Sequence, residues 1–207
     1  MNAQTRRSLI EGPAGAIELA IDAAQGVRRG VAVISHPHPL FGGSLDNKVV
    51  QTLARAFSQC GWDSVRYNFR GVGASQGTHD EGRGELLDLL ALIERLQPQG
   101  ALALAGFSFG AFVTSQALAP LLERRPIDKL VLVGTAASRF AVAPVPPTCH
   151  EQTLVIHGEM DDTVPLPAVM DWARPQSLPV LVLPGTGHFF HGQLPLLKSL
   201  VVRHLSA

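Results

Sequence analysis

Gly106-Phe107-Ser108-Phe109-Gly110 follows an unbroken apolar run, Ala101-Leu102-Ala103-Leu104-Ala105, and leads into Ala111-Phe112-Val113-Thr114-Ser115-Gln116-Ala117-Leu118. A buried strand that stops at a serine with glycine two residues to either side, and then turns into a helix, is the context that makes G-x-S-x-G a nucleophile elbow. The turn is sharp and holds the serine at an unfavourable backbone angle, so a Cβ at either flanking position would collide with strand or helix. The helix that follows points its free N–H groups at developing negative charge. The stretch therefore points to covalent acyl-transfer chemistry at Ser108.

Working outward, short Val-, Ile- and Leu-rich runs recur at residues 17–21, 31–35, 64–69, 101–105, 129–133, 154–157 and 180–183. Several are continuous rather than alternating, as strands buried on both faces of a parallel sheet are. Helical spacing lies between them. Residues 45–59 put Val49, Val50, Leu53, Ala54 and Phe57 on one side, 84–96 do so with Leu86, Leu87, Leu90 and Ile93, and 111–122 and 193–204 complete the set. This alternation predicts a doubly wound sheet of about seven strands, with chemistry gathered at the strands' carboxyl ends. The Pro-rich stretch at 141–147 is short and flanked by strands, which makes it a connecting loop, so residues 1–207 read as one domain.

The composition narrows the function classes. A chain of 207 residues supports one sizeable core, and 17 basic against 17 acidic residues leave no basic stripe for a nucleic acid. Residues 1–10 carry Arg6 and Arg7 without the apolar core of a signal peptide, and no segment reaches the roughly 20 apolar residues that span a bilayer. Cys60 and Cys149 have neither redox nor zinc spacing, which favours inert thiols and a cytoplasmic location.

A serine hydroxyl needs a base, and the base needs an acid to orient it; on this fold they follow in the order Ser, acid, His, each just past a strand. After the run at 154–156 comes His157-Gly158-Glu159-Met160-Asp161-Asp162-Thr163-Val164-Pro165, and after 180–183 comes Pro184-Gly185-Thr186-Gly187-His188-Phe189-Phe190-His191. Both order and placement fit.

Together with Ser35-His36-Pro37-His38-Pro39-Leu40-Phe41-Gly42-Gly43 and Asn68-Phe69-Arg70-Gly71-Val72-Gly73-Ala74-Ser75, these segments resemble the α/β-hydrolase superfamily over nearly the whole chain, and most closely its small bacterial serine hydrolases. The resemblance implies an α/β-hydrolase fold, a Ser-Asp-His triad, and neither metal nor organic cofactor. The family spacing H-G-x-x-D-x-x-V-P falls on Asp161 and leaves Asp162 a solvated neighbour. His188 is the base, His191 a cap or pocket wall, and His157 a maker of structural hydrogen bonds. Oxyanion donors by the same analogy are the backbone N–H of Phe109 and that of His38 or Leu40, with His38 first; Pro37 and Pro39 have none to give. His36 and His38, two apart in extended chain, point to opposite faces and are poor joint metal ligands. Arg70-Gly71-Val72-Gly73 lacks the third glycine of a dinucleotide loop, and Arg70 reads as a brace between loops.

Only about twenty residues separate the strands at 129–133 and 154–157, too few for a substantial lid, so an open site with minimal or no lid is expected. Phe41, Phe107, Phe109, Phe189 and Phe190 are candidates for its walls or for core. The reading is a serine hydrolase that cleaves small-molecule carboxylic esters of small or short-chain acyl groups through an acyl-enzyme. A thioesterase or peptidase with the same residues, or a non-catalytic binding protein on the same fold, are the alternatives. The sequence does not address oligomeric state.

Overall fold

A computed structural model describes residues 5–97 and 99–207; residues 1–4, part of the stretch read above for a signal peptide, lie outside the described residues. The strands are β1 Arg6–Gly12, β2 Gly15–Asp22, β3 Gly30–Ser35, β4 Trp62–Tyr67, β5 Ala101–Phe107, β6 Lys129–Val133, β7 Thr153–Gly158 and β8 Val180–Leu183. The helices are α1 Lys48–Gln59, α2 Arg83–Leu96, α3 Phe109–Leu122, α4 Leu166–Ala173 and α5 Leu194–Ser206. One sheet runs β1-β2-β4-β3-β5-β6-β7-β8. Its strands from β4 to β8 are parallel, and β1 and β2 pair antiparallel at one end.

Two sequence expectations need correction. The sheet has eight strands rather than about seven, because the terminal hairpin strand β1 was not read; it is amphipathic, carries Arg6, Arg7 and Glu11, and is largely exposed. Helix α4 was also unread, since Pro165 and Pro167 at its start resemble a loop while suiting a helix's first turn.

Successive residues of the central strands feed opposite layers, as the pleat requires. Val31, Val33, Leu102, Leu104, Leu130 and Leu132 enter the layer beneath α2, α3 and α4. Ala32, Ile34, Ala103, Ala105, Val131 and Val133 enter the layer beneath α1 and α5. In α2 the buried face is rotated from the predicted one: Leu87 is exposed, and Leu89, Leu92 and Ile93 are buried beside Glu85 and Asp88. The two carboxylates broke the apolar pattern because they are interior and paired. Arg70 donates from Nε and Nη2 to Asp88 at 2.8 and 2.9 Å, so Arg70 braces α2 as expected.

From β3 the chain passes through α1 to β4 on one side, then returns through α2 to β5 on the other. Ligand sites of open α/β sheets form at such a reversal, outside the carboxyl ends of the two strands. Here those ends lead into His36-Pro37-His38 and Ser108. The backbones come so close that a Cβ on Gly110 would strike the carbonyl oxygens of Ser35 and His36, and one on Gly106 the backbone of Gly110 and Ala111. Gly110→Ala is accordingly expected to lower unfolding stability by at least about 1–3 kcal/mol, read as a reduced urea midpoint with an unchanged slope; an unaltered midpoint would show that the crossing relaxes freely.

Candidate active site

Ser108 sits between β5 and α3 at φ 57° and ψ −117°, in the left-handed region that L side chains rarely adopt. Its N–H donates to Val133 O at 2.9 Å, which ties the turn to β6. Its Oγ lies 3.0 Å from His188 Nε2, and His188 Nδ1 lies 2.6 Å from Asp161 Oδ2. These two contacts assign the neutral tautomer in which Nδ1–H donates to the carboxylate and Nε2 accepts from the serine hydroxyl. Asp161 is itself held, because its Oδ1 accepts the N–H groups of Thr163 at 3.0 Å and Val164 at 2.7 Å. All three side chains are buried save for a few per cent.

The ring of His188 is packed from two sides, by Phe107 at 5.0 Å between centroids and by Phe189 edge-on at 5.1 Å. Gly134, at φ 54° just past β6, backs it as well: a Cβ there would lie 3.1 Å from Phe107 and 3.3 Å from His188. Gly134 was not singled out in the sequence, where a lone glycine after a strand is only a turn signal. Asp162 is exposed and accepts only from the Thr163 hydroxyl, and His191 is exposed near Phe189. His157 Nε2 donates to Val164 O at 2.9 Å, and burial pushes its pKa down, so the neutral ring beside Asp161 is no ion pair.

The expected oxyanion residues divide. As the first residue of α3, Phe109 has an N–H without an intrahelical acceptor, and His38 lines the same cavity of about 440 Å³ as Ser108, Phe109 and His188. Leu40 does not line it; its N–H donates to His38 Nδ1 at 3.2 Å. Phe41 and Phe189 are exposed at the cavity, whereas Phe107 and Phe190 are core. Ala136, Arg139 and Phe140, from the loop after β6, line it as well. No motif marks these three; Phe140 is brought there by stacking on Phe112 at 4.8 Å and standing edge-on to Phe109 at 5.2 Å. The His38 imidazole is held below the ordinary histidine range, first by burial, then by the neighbouring His79 ring, with Glu85 pulling the other way and Arg139 adding a smaller push down.

The loop before His38 is fixed by His36. Its Nδ1–H donates to Pro37 O at 2.6 Å and its Nε2 accepts Phe69 N–H at 2.9 Å. Both nitrogens are therefore spent on backbone, which leaves His36 no lone pair for a metal. Among the described residues no three His, Cys, Asp or Glu side chains cluster as metal ligands, and no helix is long and apolar enough to cross a membrane. Cys149 is buried and Cys60 half-buried, and both are free thiols.

The family model for the α/β-hydrolase fold matches residues 38–152. A lidless α/β serine hydrolase from Xanthomonas campestris superposes at a TM-score of 0.88 with 34% identity, covering 100% of this chain and 95% of that one. An α/β serine hydrolase homologue from Coxiella burnetii does so at 0.83 with 36% identity, covering 97% of each chain. An uncharacterized protein of Rickettsia prowazekii (strain Madrid E) is 32% identical over 199 residues, 86% of this chain and 79% of that one. The chain belongs to the α/β-hydrolase fold family, among its small bacterial serine hydrolases. Consistent with a minimal lid, the connection from β6 to β7 holds a single 3-10 turn, Pro147–Cys149.

Burial holds the His36 imidazole at about 4, against a smaller opposing pull from the Pro37 carbonyl. In the unfolded chain the ring titrates near 6.5, so between there and about 4 the unfolded state binds a proton that the folded state does not. Stability then falls as pH drops through this window and is fully present above it. The His36 share is roughly 3 kcal/mol. Urea unfolding between about pH 7 and 4.5 is expected to show that loss, and His36→Gln to flatten it; an equal slope in both proteins would assign the acid sensitivity elsewhere.

Proposed function

We propose that the protein is a serine carboxylic-ester hydrolase for small or short-chain acyl groups, with Ser108 as nucleophile, His188 as general base and acid, and Asp161 as its orienting carboxylate. The observation that carries this reading is the unbroken hydrogen-bonded line from Ser108 Oγ through His188 to Asp161 Oδ2, at 3.0 and 2.6 Å. Such a line activates a hydroxyl and stabilises the imidazolium that forms.

Ser108 Oγ attacks the ester carbonyl carbon while His188 Nε2 takes the hydroxyl proton. The carbonyl oxygen becomes an oxyanion facing the N–H of Phe109, with His38 N–H as the second donor. Collapse breaks the bond to the alcohol oxygen, which leaves with the proton from Nε2. Water then attacks the acyl-enzyme, giving its proton to His188, and the second collapse returns that proton to Ser108 Oγ and releases the acid. Aromatic walls from Phe41, Phe109, Phe140 and Phe189 around a cavity of about 440 Å³ support small or short-chain acyl groups. The reading takes the protein as cytoplasmic, acting on a small molecule without nucleic acid or membrane; two free, separate thiols and balanced charge support that.

The test is covalent labelling by a fluorophosphonate probe, located by peptide mapping, beside hydrolysis of 4-nitrophenyl acetate, butyrate and decanoate. Labelling is expected at Ser108 and to vanish in Ser108→Ala and His188→Ala. Asp161→Asn is expected to lower kcat by about 10³–10⁴ through loss of the productive tautomer. Folded protein that neither labels nor turns over any ester would return the binding-protein alternative, and a marked preference for decanoate would overturn the short-acyl reading.

A further inference from the structure

A second cavity, of about 740 Å³, adjoins the first and shares His38, Phe41, Arg139 and Phe140 with it, but not Ser108, His188 or Phe189. In the reaction proposed above the alcohol oxygen lies against His188 Nε2 and the oxyanion faces the Phe109 and His38 N–H groups. The remaining substituent of the tetrahedral carbon, beside Ser108 Oγ, is the acyl chain. Arg139 lines both cavities.

Arg139 differs from the arginines around it. Arg70 is spent on Asp88, and Arg83, which also lines the second cavity, donates to Asp80 at 2.9 Å. The Arg139 guanidinium is exposed and makes no ion pair or side-chain hydrogen bond among the described residues. The other ionisable side chains on that cavity are His38, His79, Glu81 and Arg83, and the His79 ring is committed through Nδ1 to Glu85 at 2.8 Å. The single carboxylate on the wall, Glu81, is therefore matched against two guanidiniums, one of them free.

We propose that the acyl chain runs along the wall the two cavities share into the second one, and that Arg139 there selects acyl groups that end in a carboxylate, so that the preferred substrates are monoesters of short dicarboxylic acids. A guanidinium binds a carboxylate with two parallel hydrogen bonds, a geometry that neutral acyl groups cannot use. This rests on the ester-hydrolase reading above and narrows its substrate class.

The experiment compares mono-4-nitrophenyl succinate, glutarate and adipate with 4-nitrophenyl butyrate, pentanoate and hexanoate. In wild type the kcat/KM ratio of at least one charged ester to its neutral counterpart is expected to reach about tenfold, and to shrink with added salt. In Arg139→Gln that ratio is expected to collapse toward one, and in Arg139→Glu to invert. Calorimetric titration of Ser108→Ala with the same pairs reads the preference without turnover. Equal binding and equal kcat/KM for charged and neutral esters in wild type, or a ratio that survives Arg139→Gln, would overturn the inference while leaving the hydrolase reading intact. Preferential binding of the charged esters to Ser108→Ala, with no hydrolysis of any ester by wild type, would do the reverse.

Discussion

At the crossing of β3 and α3, Gly110 rests against the carbonyl oxygens of Ser35 and His36 with no room for a side chain. This close approach lets α3 begin immediately after β5 and carries Ser108 into its left-handed conformation. A residue held there costs on the order of 1–3 kcal/mol and persists only where its surroundings over-determine it. The sheet supplies that constraint: β5 is paired on both sides, to β3 and to β6, and the Ser108 N–H continues the ladder onto Val133. The same contact sets the loop from His36 to His38 beside the first turn of α3. The candidate nucleophile and the candidate oxyanion donors thus share one backbone junction.

Buried polar groups then fix what the crossing leaves free. His36 joins the loop after β3 to Phe69 past β4, and Arg70 joins that second loop to Asp88 on α2. Asn68 accepts the N–H of Leu45 and donates to Glu18, which also accepts Ala74 N–H and an N–H of Arg7 and is held below the usual carboxylate range chiefly by the Ala74 bond. The links from His36 to Phe69, Asn68 to Leu45 and Glu18 to Ala74 each spend a side chain on a loop backbone N–H, the requirement buried loops must meet. The floor of the cleft is rigid for that reason, although the cleft itself is open.

Much of this was legible in the chain because the informative segments are local. A central strand buried on both faces is a continuous apolar run, so β3 and β5 to β7 stood out, the partly buried edge strand β8 carries a similar run, and each candidate residue of the Ser108–His188–Asp161 line follows such a run within a few residues. What failed to show was set by tertiary context. The edge strand β1 buries one thin face and reads as polar chain. The inward face of α2 carries Glu85 and Asp88, whose partners His79 and Arg70 lie on the preceding loop, so its apolar stripe seemed to lie elsewhere. Arg139 and Phe140 reach the cleft through the path of a loop that contains no motif, and Gly134 matters only because the His188 ring lies behind it.

Two carboxylate–histidine pairs flank the cleft, the buried Asp161 with His188 and Glu85 with the partly buried His79, at 2.6 and 2.8 Å. Similar contacts do not make similar chemistry. Asp161 gives its other oxygen to the turn that holds it and its ring partner reaches a hydroxyl, so a proton has somewhere to come from and a place to go. Glu85 also accepts the N–H groups of Asp80 and Gly82, which fastens the loop entering α2. Its partner His79 faces the rings of His38 and Phe109, at 4.8 and 5.5 Å between centroids, and hydrogen-bonds to no hydroxyl among the described residues. The Glu85 pair is a brace with the geometry of a relay, and what separates the two is the atom that meets the far side of the imidazole.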